Sequence, residues 1–231
     1  MISMNKITAL YIKQMKNIGY NLFIAIGFVM PLLFAFLFAY IMPGTESIAL
    51  SMGVLTNIAF VSTNTMCVLI AEEKEKNTLN VLITSTVSAL DFLLSNALTT
   101  ITMTSAINIL VYLICAPVDI SFLPFMLVTT FGAIAAVVLG AIIGLVSKNQ
   151  MTASSIITPF ALIFMMVPML AGGVPSLRLA GNMMYSQQTI VMLSDIANGV
   201  LSLTSIGVIA ANTAVFSIAF VLVYKRFGLG K

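Results

Sequence analysis

The chain has 231 residues, 60% of them hydrophobic and only 7% charged, with a mean hydropathy of +1.12. A soluble domain carries about 25% charged residues, so composition excludes an ordinary water-soluble fold and points to one compact integral membrane unit. The net charge of +3 is spread without a basic patch, which excludes nucleic-acid binding, and the lack of histidine with only two cysteines argues against a zinc site.

In chain order, residues 4–20 form the first predicted element. Met4, Ile7, Tyr11, Met15 and Ile18 recur at helical spacing, with Lys6, Lys13 and Lys16 on the other side. That pattern suits an amphipathic helix lying in the headgroup region. Residues 22–41 follow without a charge, and at 1.5 Å per residue they cross a hydrocarbon core of about 30 Å. Pro31 is expected to kink this first span. Its length, and the want of a small-residue cleavage site, set it apart from a removed signal peptide.

The second span is predicted over 48–70. It carries Thr56, Asn57, Ser62, Thr63, Asn64 and Thr65. Two readings of that polar content stay open: hydrogen bonds between helices, or a stripe facing a cavity. A stretch over 72–91 then opens with the densest run of charge in the chain, Glu72, Glu73, Lys74, Glu75 and Lys76. It continues as an amphipathic pattern and reads as a water-facing helical elbow.

The third span is predicted over 92–115 and contains Thr99, Thr100, Thr102, Thr104, Ser105 and Asn108. The fourth, over 122–146, spaces Gly132, Ala136, Gly140 and Gly144 every four residues, a small-residue stripe for close helix contact. After a polar turn at 147–150 the fifth span, 152–171, contains Pro159 and Pro168. Residues 174–202 are neither clearly soluble nor clearly spanning, and two short re-entrant helices account for them. The sixth span is predicted over 203–224. Cys67 and Cys115 fall at opposite ends of antiparallel spans, too far apart for a disulfide.

Six spans put both termini on one side. With the N-terminus inside, Lys6, Lys13, Lys16, Lys74, Lys76, Lys148, Lys225, Arg226 and Lys231 are all cytoplasmic, and Arg178 alone is external. The positive-inside rule selects that orientation. The fold expected is therefore an all-α integral membrane protein, with six transmembrane helices, an N-terminal interfacial helix, a cytoplasmic elbow between spans 2 and 3, and short external re-entrant helices between spans 5 and 6.

Missing chemistry narrows the function. No charged residue lies at the middle of a predicted span, which disfavours an ion-coupled carrier. No G-x-x-x-x-G-K-[ST] is present, so the chain builds no P-loop. Neither a metal cluster nor an activating base for a serine nucleophile is visible. The chain is not expected to be an enzyme, and energy for transport has to come from elsewhere.

The stretch 73–90, EKEKNTLNVLITSTVSAL, resembles the E-[KR]-E-K-G-T-L-E-L-L-L-x-T-P-V-S signature of ABC-2 type transporter permeases. It matches at Glu73, Lys74, Glu75, Lys76, Thr78, Leu79, Leu82, Val87 and Ser88. Asn77 stands where the family has Gly, and tolerates a left-handed turn better than most residues. Thr86 stands where the family has Pro, and the polar pair that often follows is altered to Ser95-Asn96. The N-terminal amphipathic helix, the six spans and the apolar excursion before the last span extend the likeness over nearly the whole chain.

The resemblance implies a half-transporter in a bacterial cytoplasmic membrane, with two permease chains, identical or related, and two cytoplasmic ATP-binding subunits. ATP and magnesium are then bound by the partner ATPase, and this chain binds no cofactor or metal. The elbow implies a coupling helix, with Leu79, Leu82 and Ile83 as an apolar key and Glu73, Glu75, Lys76 and Thr78 beside it. The cargo path is expected along spans 1, 2 and 5, past Asn57, Thr63, Asn64, Ser155 and Thr158, with Met165, Met166 and Met169 as an adaptable apolar wall. An amphipathic peptide or hydrophobic small molecule suits that lining. The alternatives are a non-transporting immunity or sensor subunit of a peptide system, or an ion-coupled secondary transporter.

Overall fold

The computed structural model describes residues 4–42, 44–76, 88–116 and 119–227. Among them no strand occurs. Helix α1 spans Met4–Tyr20, and α2, Leu22–Phe36, widens into a π-helical turn over Leu37–Ile41. Helix α3 (Glu46–Leu55) passes through a second π-helical segment, Thr56–Ser62, into α4 (Thr63–Glu75). Then come α5 (Ala89–Ile114), α6 (Phe122–Val146) and α7 (Gln150–Ala171). Two short helices follow, α8 (Pro175–Asn182) and α9 (Tyr185–Ala197), and α10 (Leu203–Phe227) closes the described chain.

The helix starts are written locally. The Asn21 side chain accepts from the Ile24 N–H to cap α2, and Asn149 accepts from Thr152 N–H at 2.8 Å to cap α7. Ser88 and Asp91 form a reciprocal capping box that opens α5. That box explains why α5 begins at Ala89, three residues before the expected start of the third span at 92. Gly44, at φ 79°, supplies the left-handed residue of the turn between α2 and α3. Pro31 lies inside α2 without ending it; the helical register loosens instead at Leu37–Ile41.

Among the described residues six helical stretches are long and apolar enough to cross a membrane: Ile24–Ile41, Ile48–Glu75, Ala89–Ile114, Phe122–Val146, Gln150–Ala171 and Leu203–Arg226. The second is the axis of the molecule: 94% of its apolar window is buried, against 6% for the last. Around it stand α2, α5, α6 and α7, and α10 packs on the outer side of α6. The close approach of α6 is a matter of missing side chains. A Cβ at Gly140 would collide with the Thr63 carbonyl oxygen, and one at Gly144 would come within 2.8 Å of the Cys67 carbonyl oxygen. Gly132 leaves equivalent room for the Thr189 hydroxyl of α9. The small-residue stripe thus seats two different helices, the second span and α9.

The second span differs from its expected end at residue 70. It stays helical to Glu75, and its 28 residues reach about 40 Å, beyond a hydrocarbon core of about 30 Å. The charges at 72–75 therefore belong to the end of this helix, where other parts of the chain satisfy them. The region 174–202 holds two short helices, α8 and α9. Tyr185, Ser186, Thr189, Met192 and Leu193 of α9 are buried in the bundle. An aromatic cluster fixes it there: the ring centroids of Phe164 and Tyr185 lie 5.0 Å apart, and Phe216 meets both edge-on. Cys67 and Cys115 are free thiols.

Candidate functional site

Two places concentrate polar chemistry, the charged end of the second span and a groove beside its middle. At the charged end Glu72, Glu73, Lys74 and Glu75 each have a partner on a different part of the chain, and Lys76 pairs back onto Glu72. Glu73, 2% exposed, accepts from Lys13 Nζ at 2.7 Å and from Gln14 Nε2 at 3.0 Å, both on α1. Glu72, also buried, accepts from Asn21 Nδ2 at 3.3 Å and pairs with Lys76 one turn on. Lys74 donates to the Leu145 carbonyl at 2.6 Å, in the last turn of α6. Glu75 accepts from the Gln150 N–H at 2.9 Å, in the first turn of α7.

The signs suit the helix ends they meet. A cation at a helix C-terminus and an anion at an N-terminus each gain about 0.3–1 kcal/mol where exposed. Lys74 and Glu75 thus close α6 and open α7 across the turn between them. The Lys76 ammonium is held above its usual value of 10.5, chiefly by its hydrogen bond to Glu72, with burial opposing.

Half-way along the same span the π-helical segment Thr56–Ser62 meets α5. Asn57 Nδ2 donates to the Thr104 carbonyl at 2.9 Å and to Asn108 Oδ1 at 2.7 Å. Ser62 Oγ donates to the Asn57 carbonyl at 2.9 Å and lies 2.6 Å from Thr104 Oγ1. A π turn breaks the regular i to i−4 ladder. Hydroxyl and amide groups make up for it: Thr63 Oγ1 donates to the Ala59 carbonyl and Asn64 Nδ2 to the Phe60 carbonyl.

Beside this segment, α2, the second span and α7 enclose a groove of about 380 Å³. Ile24, Ile26, Gly27 and Met30 form one wall, Phe60, Val61, Asn64, Thr65 and Val68 the other, and Thr158 the rim on α7. The lining is almost wholly apolar. Its polar members are Thr65, Thr158 and Asn64, the last 7% exposed with its Oδ1 buried without a hydrogen-bond partner. A buried carbonyl oxygen left unpaired costs about 1–3 kcal/mol.

The residues expected on the cargo path therefore separate. Asn64 and Thr158 meet in the groove. Asn57 and Thr63 are fully buried inside the bundle. Met165 packs on Leu55 and Ala59, with Met166 and Met169 against the same patch. Ser155 sits on the exposed face of α7 and donates to the Met151 carbonyl. The methionine that lines the groove is Met30. Of the elbow residues, Glu73 faces α1, Glu75 meets α7 and Lys76 pairs with Glu72, whereas Thr78, Leu79, Leu82 and Ile83 lie outside the described residues.

Sequence reasoning missed Lys13, Gln14 and Asn21 as partners of the charged run. The one local signal was Gln14, a polar residue in line with Ile7, Leu10 and Ile18 on the buried face of α1.

A family model described as ABC-2 type transporter matches residues 5–172, which takes in both the charged end and the groove. No curated protein matches the chain significantly.

Proposed function

The chain belongs to the ABC-2 type transporter family, and from that premise we propose that it is the membrane half of an ATP-driven exporter that moves an amphipathic peptide or hydrophobic small molecule out of a bacterial cell. The coarser part stands on the family and the six apolar helices: this is a multi-pass membrane protein and a transporter permease subunit. The family pairs with an ABC ATPase, which supplies ATP, magnesium and the hydrolytic step. In the proposal, a second permease chain completes the channel, both termini face the cytoplasm, and the segment between the second and third spans receives the ATPase.

The observation that carries the cargo class is the groove between α2, the second span and α7. An apolar wall with few polar side chains, Asn64, Thr65 and Thr158, favours a ligand that is mostly hydrocarbon. A strongly charged or large sugar cargo would find little there to replace its hydration.

The test is export by the complex reconstituted with its ATPase in liposomes. Thr158→Phe narrows the groove from its half-buried rim on α7, where assembly is not at stake. Export is expected to fall about tenfold or more while the amount of assembled complex stays the same. Unchanged export in assembled Thr158→Phe complex removes the groove from the path.

A further inference from the structure

The charged run 72–76 carries the start of the family resemblance at Glu73, yet its first two glutamates, Glu72 and Glu73, face inward. Glu73 is 2% and Glu72 5% exposed, so neither carboxylate is open to an external partner. Glu73 instead meets α1 through two separate donors, Lys13 Nζ and Gln14 Nε2. Gln14 is the independent clue. Helix α1 docks on the bundle through Ile7, Leu10 and Ile18, and the fourth member of that buried line is Gln14, 1% exposed. Apolar packing gives no reason for an amide at that position. A carboxylate across the contact does, because a buried acceptor of this kind needs donors.

Glu73 grips the middle of α1, and its neighbours fasten helix ends. Glu72 holds Asn21, the residue that caps α2. Lys74 holds the last turn of α6, and Glu75 the first turn of α7. Four consecutive residues, Glu72 to Glu75, thus reach the middle of α1 and the ends of three other helices around the second span. Residues 77–91, the remainder of the elbow expected over 72–91 to receive the ATPase, follow directly.

We propose that Glu73 is a positioning residue: it fastens α1 to the end of the second span, so that α1 moves together with the chain just beyond Lys76 instead of floating on the membrane surface. Glu72, Lys74 and Glu75 extend the same fastening to α2, α6 and α7. Glu73 therefore acts inside the chain and is no part of the face that meets the ATPase. The fastening stands independently of the transport reading, whereas its consequence for coupling rests on it.

The experiment is hydrogen–deuterium exchange on the full chain in lipid nanodiscs, alone and with its ATPase. Glu73→Gln keeps an acceptor for Gln14 and removes the charge that holds Lys13. Lys13→Ala breaks the same pair from its solvent side, where the Lys13 side chain is 41% exposed, so folding is not at stake. Lys16→Ala, on the exposed face of α1, is the control. Amides of residues 4–20 are expected to exchange about tenfold faster or more in Glu73→Gln and several-fold faster in Lys13→Ala, with α6 and the control unchanged.

In the complex, Glu73→Gln is expected to keep ATPase binding within about threefold while cargo moved per ATP falls. Unchanged α1 exchange in both variants overturns the proposal. So does a loss of ATPase affinity of about tenfold or more with α1 protection intact, since that marks a docking residue. Loosened α1 in a chain whose wild type neither binds nor stimulates any ATPase leaves the fastening standing and sinks the transport reading.

Discussion

At the scale of single residues, the chain places polar groups where a membrane interior penalises them most. The side chain of Asn96 and one side-chain atom each of Gln14, Asn57, Asn64 and Tyr185 are buried without a hydrogen bond, but many others are satisfied internally. Glu72 is the plainest case outside the hydrocarbon, held by Asn21 and by Lys76. The Lys76 ammonium has a folded-state value raised above 10.5, mainly by Glu72. A raised value means that the pair's contribution is complete below the unfolded value. It is lost only as pH climbs through the higher folded one. Lys76→Met is therefore expected to lower stability equally at pH 7 and pH 9, by about 0.2–1 kcal/mol, because the Lys76 side chain is 54% exposed and water screens the pair. Thermal unfolding across pH checks this: the gap between wild type and variant should close only at strongly alkaline pH. A gap that closes between pH 6 and pH 8 would show that Lys76 is not the group responsible.

At the scale of elements, the second span decides most. A helix buried on every side can be wholly apolar, yet this one carries Asn57, Ser62 and Thr63 at its middle. The π-helical segment explains them, since the widened turn needs side-chain donors and α5 offers Thr104 and Asn108 in return. This resolves the two readings left open by sequence. Asn57 and Ser62 tie helices together, and Asn64 and Thr65 line a cavity. Asn57→Leu is accordingly expected to cost about 0.6–1.7 kcal/mol, the range for interhelical hydrogen bonds in a membrane protein. Its readout is a fall of a few degrees in the unfolding midpoint in detergent, with the KM for cargo unchanged. A KM raised about tenfold at unaltered stability would instead put Asn57 on the path.

At the scale of the whole molecule, the charged end joins helices from distant parts of the chain. Helix α1, the starts of α2 and α7 and the end of α6 all meet the last turns of the second span there. The groove opens beside the middle of that same helix. A displacement of residues 77–87 by an ATPase would therefore act on one end of the helix that forms a groove wall. Replacing Leu79 and Leu82 together with Asp is expected to abolish ATPase co-purification while leaving membrane insertion intact, because two buried charges at an apolar contact cost several kcal/mol. Wild-type recovery of the ATPase with that double variant would remove the segment as the docking site.

Much of this was legible in one dimension. Six long apolar runs, the charge interruption after the second, the turn at 147–150 and the two short elements after Gly173 follow from composition and periodicity. A segment's cost in hydrocarbon is a local sum over its own residues. The family likeness rode on contiguous residues for the same reason. The pairing of Glu73 with Lys13 and Gln14 spans some sixty positions, and no local pattern could announce it. Burial at 72–73 depends on which helices gather around the second span. The groove depends on Asn64 and Thr158 meeting from helices far apart in sequence. Local chemistry determined the class and the spans. Only the packing of distant helices decided which charges turn inward and which polar residues face a cavity.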